Sequence, residues 1–220
     1  MENYELMLSR HAVRAYLDKA IPEENIEKID HEIEICNEEG KDLHFQFVKN
    51  EENAFSGFLA HYGKFKEVKN YIALVGKKNS DEKVGYYGER IVLFLQSLGL
   101  NSCWVALTYK KVKNAFQVNK GEKLYCVIAL GYGETQGNAH AVKSIEAVSS
   151  GDKAVAWFID GVKGALLAPT AMNQQKFFFT LEGEKVIAKA GIGMYTNLDL
   201  GFAKYHFEIA SGKDHSIWAN

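Results

Sequence analysis

The chain has 220 residues, 47% of them hydrophobic and 25% charged, with a formal net charge of −2. That length suits one domain with a sizeable core. The near-neutral charge speaks against a nucleic-acid or anionic-membrane partner, so any basic feature has to be a local site.

Three cysteines (Cys36, Cys103, Cys126) with no Cys-x-x-Cys spacing fit a reducing cytoplasm better than a disulfide framework or a zinc site. The seven histidines are scattered without ligand spacing, so no metal is expected. No apolar run approaches the roughly eighteen residues that span a bilayer. The start, Met1-Glu2-Asn3-Tyr4-Glu5, has no secretory character, and a cytoplasmic protein is expected.

In chain order, the first segment of interest is Ser9-Arg10-His11-Ala12-Val13-Arg14. Arg10 and Arg14 share a face if the segment is a helix or helical turn. Two guanidiniums and an imidazole on one patch suit a phosphate, which accepts forked hydrogen bonds. A solvated basic face is the plainer alternative. Pro22-Glu23-Glu24 then opens a helix, with Ile26, Ile29, Ile33 and Cys36 at helical spacing and Gly40 at its end. His44 to Lys49 alternates as a strand. Tyr71 to Val75 and Leu124 to Leu130 are short apolar runs suited to buried central strands.

Val84 to Leu98 reads as a long helix, apolar on most faces and therefore buried. Residues 135–153, with Gly137, Ser149, Ser150 and Gly151, form the best connecting segment. Asp152 is placed to cap a helix from Lys153 to Leu167. Lys176 to Leu181 and Lys185 to Lys189, around Glu182-Gly183-Glu184, make the clearest hairpin. Leu198 to Ser211 is the last long helix.

Between the last two helices lies Ala168-Pro169-Thr170-Ala171-Met172-Asn173-Gln174-Gln175, which contains one of only two prolines. Proline stops the preceding helix and leaves an extended turn. Thr170 and Asn173 then offer polar groups at a helix-to-strand junction, a common place for ligand contacts, although an ordinary loop has the same composition.

A weak internal repeat joins these elements. Residues 23–49 give helix, polar turn and strand, and residues 153–181 repeat that plan. Each is followed later by a helix bracketed by glycines eleven apart, Gly88 to Gly99 and Gly201 to Gly212. Two such halves can pack about a pseudo-twofold axis, although chance glycine spacing also accounts for the pattern.

Ser9 to Arg14 resembles the N-terminal signature of the FMN-dependent nitroreductase family. Ala168 to Gln175 resembles that family's Ala-Pro-Ser-x-x-Asn-x-Gln turn, and Leu98-Gly99-Leu100-Asn101-Ser102-Cys103-Trp104 its Gly-Leu-Gly-x-x-Trp segment. The likeness runs from Leu8 to Gly212. It departs from the usual pattern in motif order, because the Ala-Pro turn falls in the last quarter rather than soon after the arginines. That order resembles a branch in which one chain holds both halves of a site normally shared by a dimer. Lys176 also stands where the family has proline, and Ala12 where it often has a hydroxyl.

The resemblance implies an α+β fold, with a mixed central sheet flanked by helices in a single, internally duplicated domain over 1–220. Its pseudo-halves would be 1–150 and 151–220, with helices 84–98 and 198–211 packed together. It implies FMN, with Arg10, His11, Arg14 and Lys143 around the phosphate and Ala12 beside them. Pro169, Thr170 and Asn173, within Ala168–Asn173 and next to Ala171, would line the ring or ribityl chain. The backbone near Trp104-Val105-Ala106, following Cys103, would approach flavin N5. No catalytic side chain is demanded, because flavin supplies the chemistry.

On this reading NAD(P)H reduces the flavin, and a nitroaromatic, quinone or other planar small molecule accepts the electrons. The chain would carry its site as a monomer, one FMN each. No Gly-x-Gly-x-x-Gly fingerprint occurs, so a nicotinamide would stack on the flavin directly. Two alternatives stand beside it: a flavin-binding or flavin-processing protein without nicotinamide turnover, and a non-enzymatic relic of the fold.

Overall fold

The computed structural model describes residues 3–219. They gather into two compact units that interleave along the sequence. One comprises Arg10–Ser80 and Ile91–Asn138; the other comprises 3–9, Asp81–Arg90 and 139–219. These units are drawn differently from the pseudo-halves 1–150 and 151–220.

The first unit is built on a four-stranded sheet. Its strands are β1 (Leu43–Val48), β2 (Asn70–Lys77), β3 (Asn101–Val105) and β4 (Glu122–Gly131). The spatial order is β1-β2-β4-β3 and every pairing is antiparallel. The apolar runs at 71–75 and 124–130 are the two central strands, with Ile72 opposite Ile128. Both faces of these strands are buried, which is why neither run alternates. On one face Tyr71, Ala73, Val75, Val127 and Ala129 pack with Val13, Tyr16, Phe55 and Phe65.

Helix α2 (Glu23–Gly40) follows Pro22 and packs on β1 with Ile29, Ile33 and Cys36 buried. Asn37 fastens it to that edge strand. Its Oδ1 accepts from the Phe45 N–H at 2.7 Å, and its Nδ2 donates to the Phe45 carbonyl at 3.0 Å. The side chain thus occupies backbone groups that an edge strand would otherwise leave open.

The second unit is a three-stranded sheet with helices packed on it. Strand β5 (Ser149–Ser150) runs parallel to β6 (Phe177–Glu182), which forms a hairpin with β7 (Lys185–Ala190). Glu182 pairs with Lys185 across a two-residue turn, and Gly183 supplies its positive φ of 61°. Helices α6 (Ala156–Leu166) and α7 (Thr196–Ser211) lie against each other. Phe158, Val162, Ala203 and Phe207 share one core with Phe177, Phe179 and Val186.

Helix α4 (Asp81–Ser97) gives its first half to this unit. There the buried Glu89 accepts from His206 of α7 at 2.9 Å, and Glu82 pairs with Lys204 at 2.6 Å. The expected packing of the 84–98 and 198–211 helices is therefore present along that half.

The α+β class stands, and its strands are divided between two sheets rather than gathered into one mixed sheet. Parallel pairing appears at β5–β6 and at the isolated bridges Ala12–Ser102, Ala15–Lys66 and Val186–Trp218. Helix α6 begins three residues later than expected. Asp152 does not cap it: its Oδ1 accepts from the Ala154 N–H at 2.9 Å, an Asx turn that delays the helix, and Val155 takes the N-cap position. Three short helices lay outside the sequence reading: α1 (Asn3–Ser9), α3 (Phe58–Tyr62) and α5 (Ile145–Val148). They are too short to show helical periodicity. Among the described residues no helix is long and apolar enough to cross a membrane.

Candidate functional site: an arginine segment and a strained turn

Helix α1 ends at Ser9, so the arginine segment is not helical. Residues 12–16 run beside strands instead: Ala12 bridges Ser102, Ala15 bridges Lys66, and Tyr16 bridges Gly133. The Val13 N–H donates to the Ser102 carbonyl at 3.0 Å. Val13 and Tyr16 turn into the core, where the Tyr16 hydroxyl lies 2.7 Å from the Val13 carbonyl and 3.2 Å from that of Ala129. Burial pushes the Tyr16 hydroxyl pKa well up, so it stays a neutral donor.

That anchoring fixes the arginines although the helical face is missing. Arg14 and Arg10 both lie within electrostatic reach of the Cys103 thiol. Burial pushes the Cys103 thiol up, and the two guanidiniums oppose the shift. Arg10 is only 4% exposed, whereas Arg14 faces solvent. His11 sits beside Gly137, where an added Cβ would come within 2.7 Å of the His11 Cβ. A cavity of about 320 Å³ opens next to Arg14, walled by Tyr62, Trp104, Val105, Ala106 and Thr108. The structure thus brings Arg10, Ala12, Arg14, Cys103, Trp104 and Val105 together around β3, with His11 turned beside Gly137.

Ala168, Pro169, Thr170, Ala171 and Asn173 lie in the other unit, as does Lys143. After Pro169 the chain makes one 3-10 turn over Ala171–Asn173. Met172, Asn173 and Gln175 all have positive φ, at 52°, 53° and 43°. Three such non-glycine residues within four positions are strained and persist only under strong local restraint.

The restraint is a polar network. Thr170 Oγ1 accepts from the Gln175 N–H at 3.0 Å. The Gln175 amide donates to the Ala141 carbonyl at 2.7 Å and to Asn173 Oδ1 at 2.6 Å, while its Oε1 accepts from the Lys143 N–H at 2.8 Å. Asn173 itself donates to the Ala141 carbonyl at 2.8 Å.

Lys143 has a different environment from the phosphate position expected of it. Its ammonium donates to the Gln174 and Gln175 carbonyls at 2.7 and 3.0 Å, which ties it to the turn. Asp199, in the first turn of α7, went unnoticed in the sequence. It is fully buried, and its Oδ1 and Oδ2 accept from the Ala171 N–H at 2.9 Å and the Gln174 side chain at 2.7 Å. Burial pushes its carboxyl up to about 6, against the lowering effect of those two donors. An acid one turn into a helix looks like an ordinary dipole partner, so no sequence signal marks it. Gln175, in contrast, belongs to the recognised turn motif.

An α+β chain with its arginine segment bridged to β3 and a strained Ala-Pro turn before the β6–β7 hairpin has the architecture of a nitroreductase. Solved structures agree. A "putative nitroreductase" from Thermotoga maritima superposes with a TM-score of 0.67 at 22% identity, over 96% of this chain and 83% of that one. A "putative nitroreductase in complex with FMN" from Desulfovibrio desulfuricans gives 0.53 at 14%, over 66% and 94%. A "Putative NADH dehydrogenase/NAD(P)H nitroreductase" from Bacteroides thetaiotaomicron gives 0.52 at 19%, over 66% and 95%.

At these identities the likenesses establish the fold. The family model described as "Putative TM nitroreductase" matches residues 2–211, and the chain belongs to that nitroreductase family. No curated protein matches it.

Proposed function

We propose that this chain is an FMN-dependent oxidoreductase that passes hydride or electrons from NAD(P)H to a nitroaromatic, quinone or similar planar acceptor. The observation that carries the reading is the placement of Arg10 and Arg14 near Cys103 of β3, with Arg14 at a cavity walled by Trp104, Val105 and Ala106. Family membership and the solved structure of a relative with FMN support it.

The donor set suits FMN. Guanidinium forks match a phosphate, and a nearly buried Arg10 favours an anion over water as its counterpart. Arg10 and Arg14, with His11, would hold the phosphate. Backbone groups from Trp104 to Ala106 would face the ring, and Pro169, Thr170 and Asn173 would line the ring or ribityl chain. When bound, FMN supplies the hydride chemistry. The chain's own task is placement and electrostatics, and the reading gives no side chain a proton-transfer role.

Lys143 serves here as a brace for the turn. The ring-closed stiffness missing at Lys176 is replaced by two hydrogen bonds. The Gly191 N–H donates to the Lys176 carbonyl at 2.8 Å, and the Lys176 ammonium to the Ile192 carbonyl at 3.0 Å.

The test is an anaerobic titration of the purified protein with NADPH and then NADH, read at the flavin absorbance band. Yellow protein that bleaches with either donor and recovers with a quinone or nitroaromatic upholds the reading. Yellow protein that does not bleach indicates a flavin carrier. Colourless protein that fails to take up FMN indicates a relic of the fold.

A further inference from the structure

The turn that follows Pro169 is strained, and bonds from outside it add to the hydrogen bonds within it. Met172, Asn173 and Gln175 sit at φ values of 52°, 53° and 43°, and none is a glycine. One side of the turn is braced by Gln175 and Lys143 against residues 141–143. The other side is braced by the Asp199 carboxylate and by the Met194 carbonyl.

Asp199 takes the Ala171 N–H with one oxygen and the Gln174 amide with the other. The same Gln174 amide also donates to the Met194 carbonyl at 2.8 Å, so Gln174 joins the turn both to Asp199 on α7 and to the loop before that helix. Carboxylates are rarely buried without a cationic partner, because desolvation penalises the ion. The Asp199 carboxylate is met by an amide N–H and a side-chain amide, both of them on the turn.

We propose that Asp199 is a positioning residue for flavin binding, its carboxylate holding the backbone of Ala171–Gln175 in the conformation the cofactor meets. This role rests on the reading of that turn as flavin-facing. Asp199 acts through Ala171 and Gln174, by preorganisation: a turn already held in shape loses less freedom on binding.

Three variants, Asp199→Asn, Asp199→Ala and Gln174→Met, test this against the parent. FMN affinity is measured by titrating the cofactor-free protein, and amide hydrogen exchange is followed in that same protein. Asp199→Asn keeps the shape but loses one acceptor. We expect it to raise the FMN Kd about tenfold and to speed exchange at 171–175 while the rest of the chain keeps its protection. Asp199→Ala should exceed that effect, and Gln174→Met should reproduce part of it from the half-buried side.

Unchanged FMN affinity in Asp199→Asn, with unchanged exchange at the turn, overturns the proposal. So does exchange that quickens across the whole unit, which would mark Asp199 as a general structural group. Should the parent itself fail to bind FMN, the functional reading falls. The exchange measurement then still decides whether Asp199 holds the turn.

Discussion

Gly85 of α4 and Gly201 of α7 meet face to face where their helices cross. A Cβ added to Gly201 would lie 2.9 Å from the Gly85 Cα and 2.6 Å from the Tyr86 nitrogen. A Cβ on Gly85 would run into the Leu198 carbonyl. Backbone, not flexible side chain, fills the space, so nothing can swing aside. On an exposed helix, Gly→Ala stabilises by about 1 kcal/mol. Gly201→Ala should reverse that sign and cost about 3 kcal/mol through overpacking, read as a lower urea midpoint at unchanged slope. A midpoint at or above the parent's would mean that the helices separate freely at this crossing.

Arg14 faces solvent, so its replacement should leave the fold intact. Each charge-assisted hydrogen bond contributes roughly 1.5–3 kcal/mol, so Arg14→Ala should weaken FMN by about one to two orders of magnitude. Arg14→Lys keeps the charge without the fork and should fall between. Equilibrium dialysis of all three proteins against FMN checks this ranking. Equal retention by Arg14→Ala and the parent would remove Arg14 from the phosphate site.

The raised carboxyl of Asp199 makes stability and flavin binding respond oppositely to pH. Its folded-state value of about 6 lies above the ordinary 3.8. The stabilising form is therefore the protonated one, fully present below pH 3.8 and lost as pH rises through about 6. By that shift the group costs the fold up to about 3 kcal/mol at neutral pH. The ionised form is nevertheless the better acceptor for both Ala171 and Gln174, because protonation turns one oxygen into a donor.

Charged groups on the packed segments are already engaged: Lys143 and Lys176 by backbone carbonyls, Glu82 and Lys204 by each other. FMN affinity should accordingly rise from pH 5 to pH 7, and Asp199→Asn should flatten that rise. Titrations at several pH values settle it, and a profile identical in parent and variant would assign the dependence to another group.

Each motif occurs once in the chain: the arginines at 10 and 14, the Ala-Pro turn at 168–175. Where the second half of the repeat has that turn, the first has Cys36-Asn37-Glu38-Glu39-Gly40-Lys41, which folds as the end of α2 and its exit. One FMN per chain and retention of the flavin by a monomer are the expected outcomes. Sedimentation followed at the flavin wavelength over a dilution series would contradict them if free flavin appeared in step with dissociation of a dimer.

Much of the fold was legible because burial leaves strong marks on sequence. The central strands β2 and β4 showed as unbroken apolar runs, α2 as Ile29, Ile33 and Cys36 at helical spacing behind Pro22, and the β6–β7 hairpin as two strands around Gly183. The short helix α3 and the two-residue strand β5 left no mark, since neither is long enough for its pattern to repeat.

The sequence by itself determined the family, the long elements and the residue types on offer: two arginines four apart, and a proline turn with Thr170 and Asn173. Those follow from local chemistry, which a side chain carries wherever it goes. Tertiary structure decided the rest. The arginines converge although their segment is not a helix, because β-bridges to Ser102, Lys66 and Gly133 hold it. Lys143 braces a turn more than thirty residues away in sequence. Asp199 supports that turn from the first coil of α7. Hydrogen bonds between distant segments depend on where the packed core places them, and no local pattern records that placement.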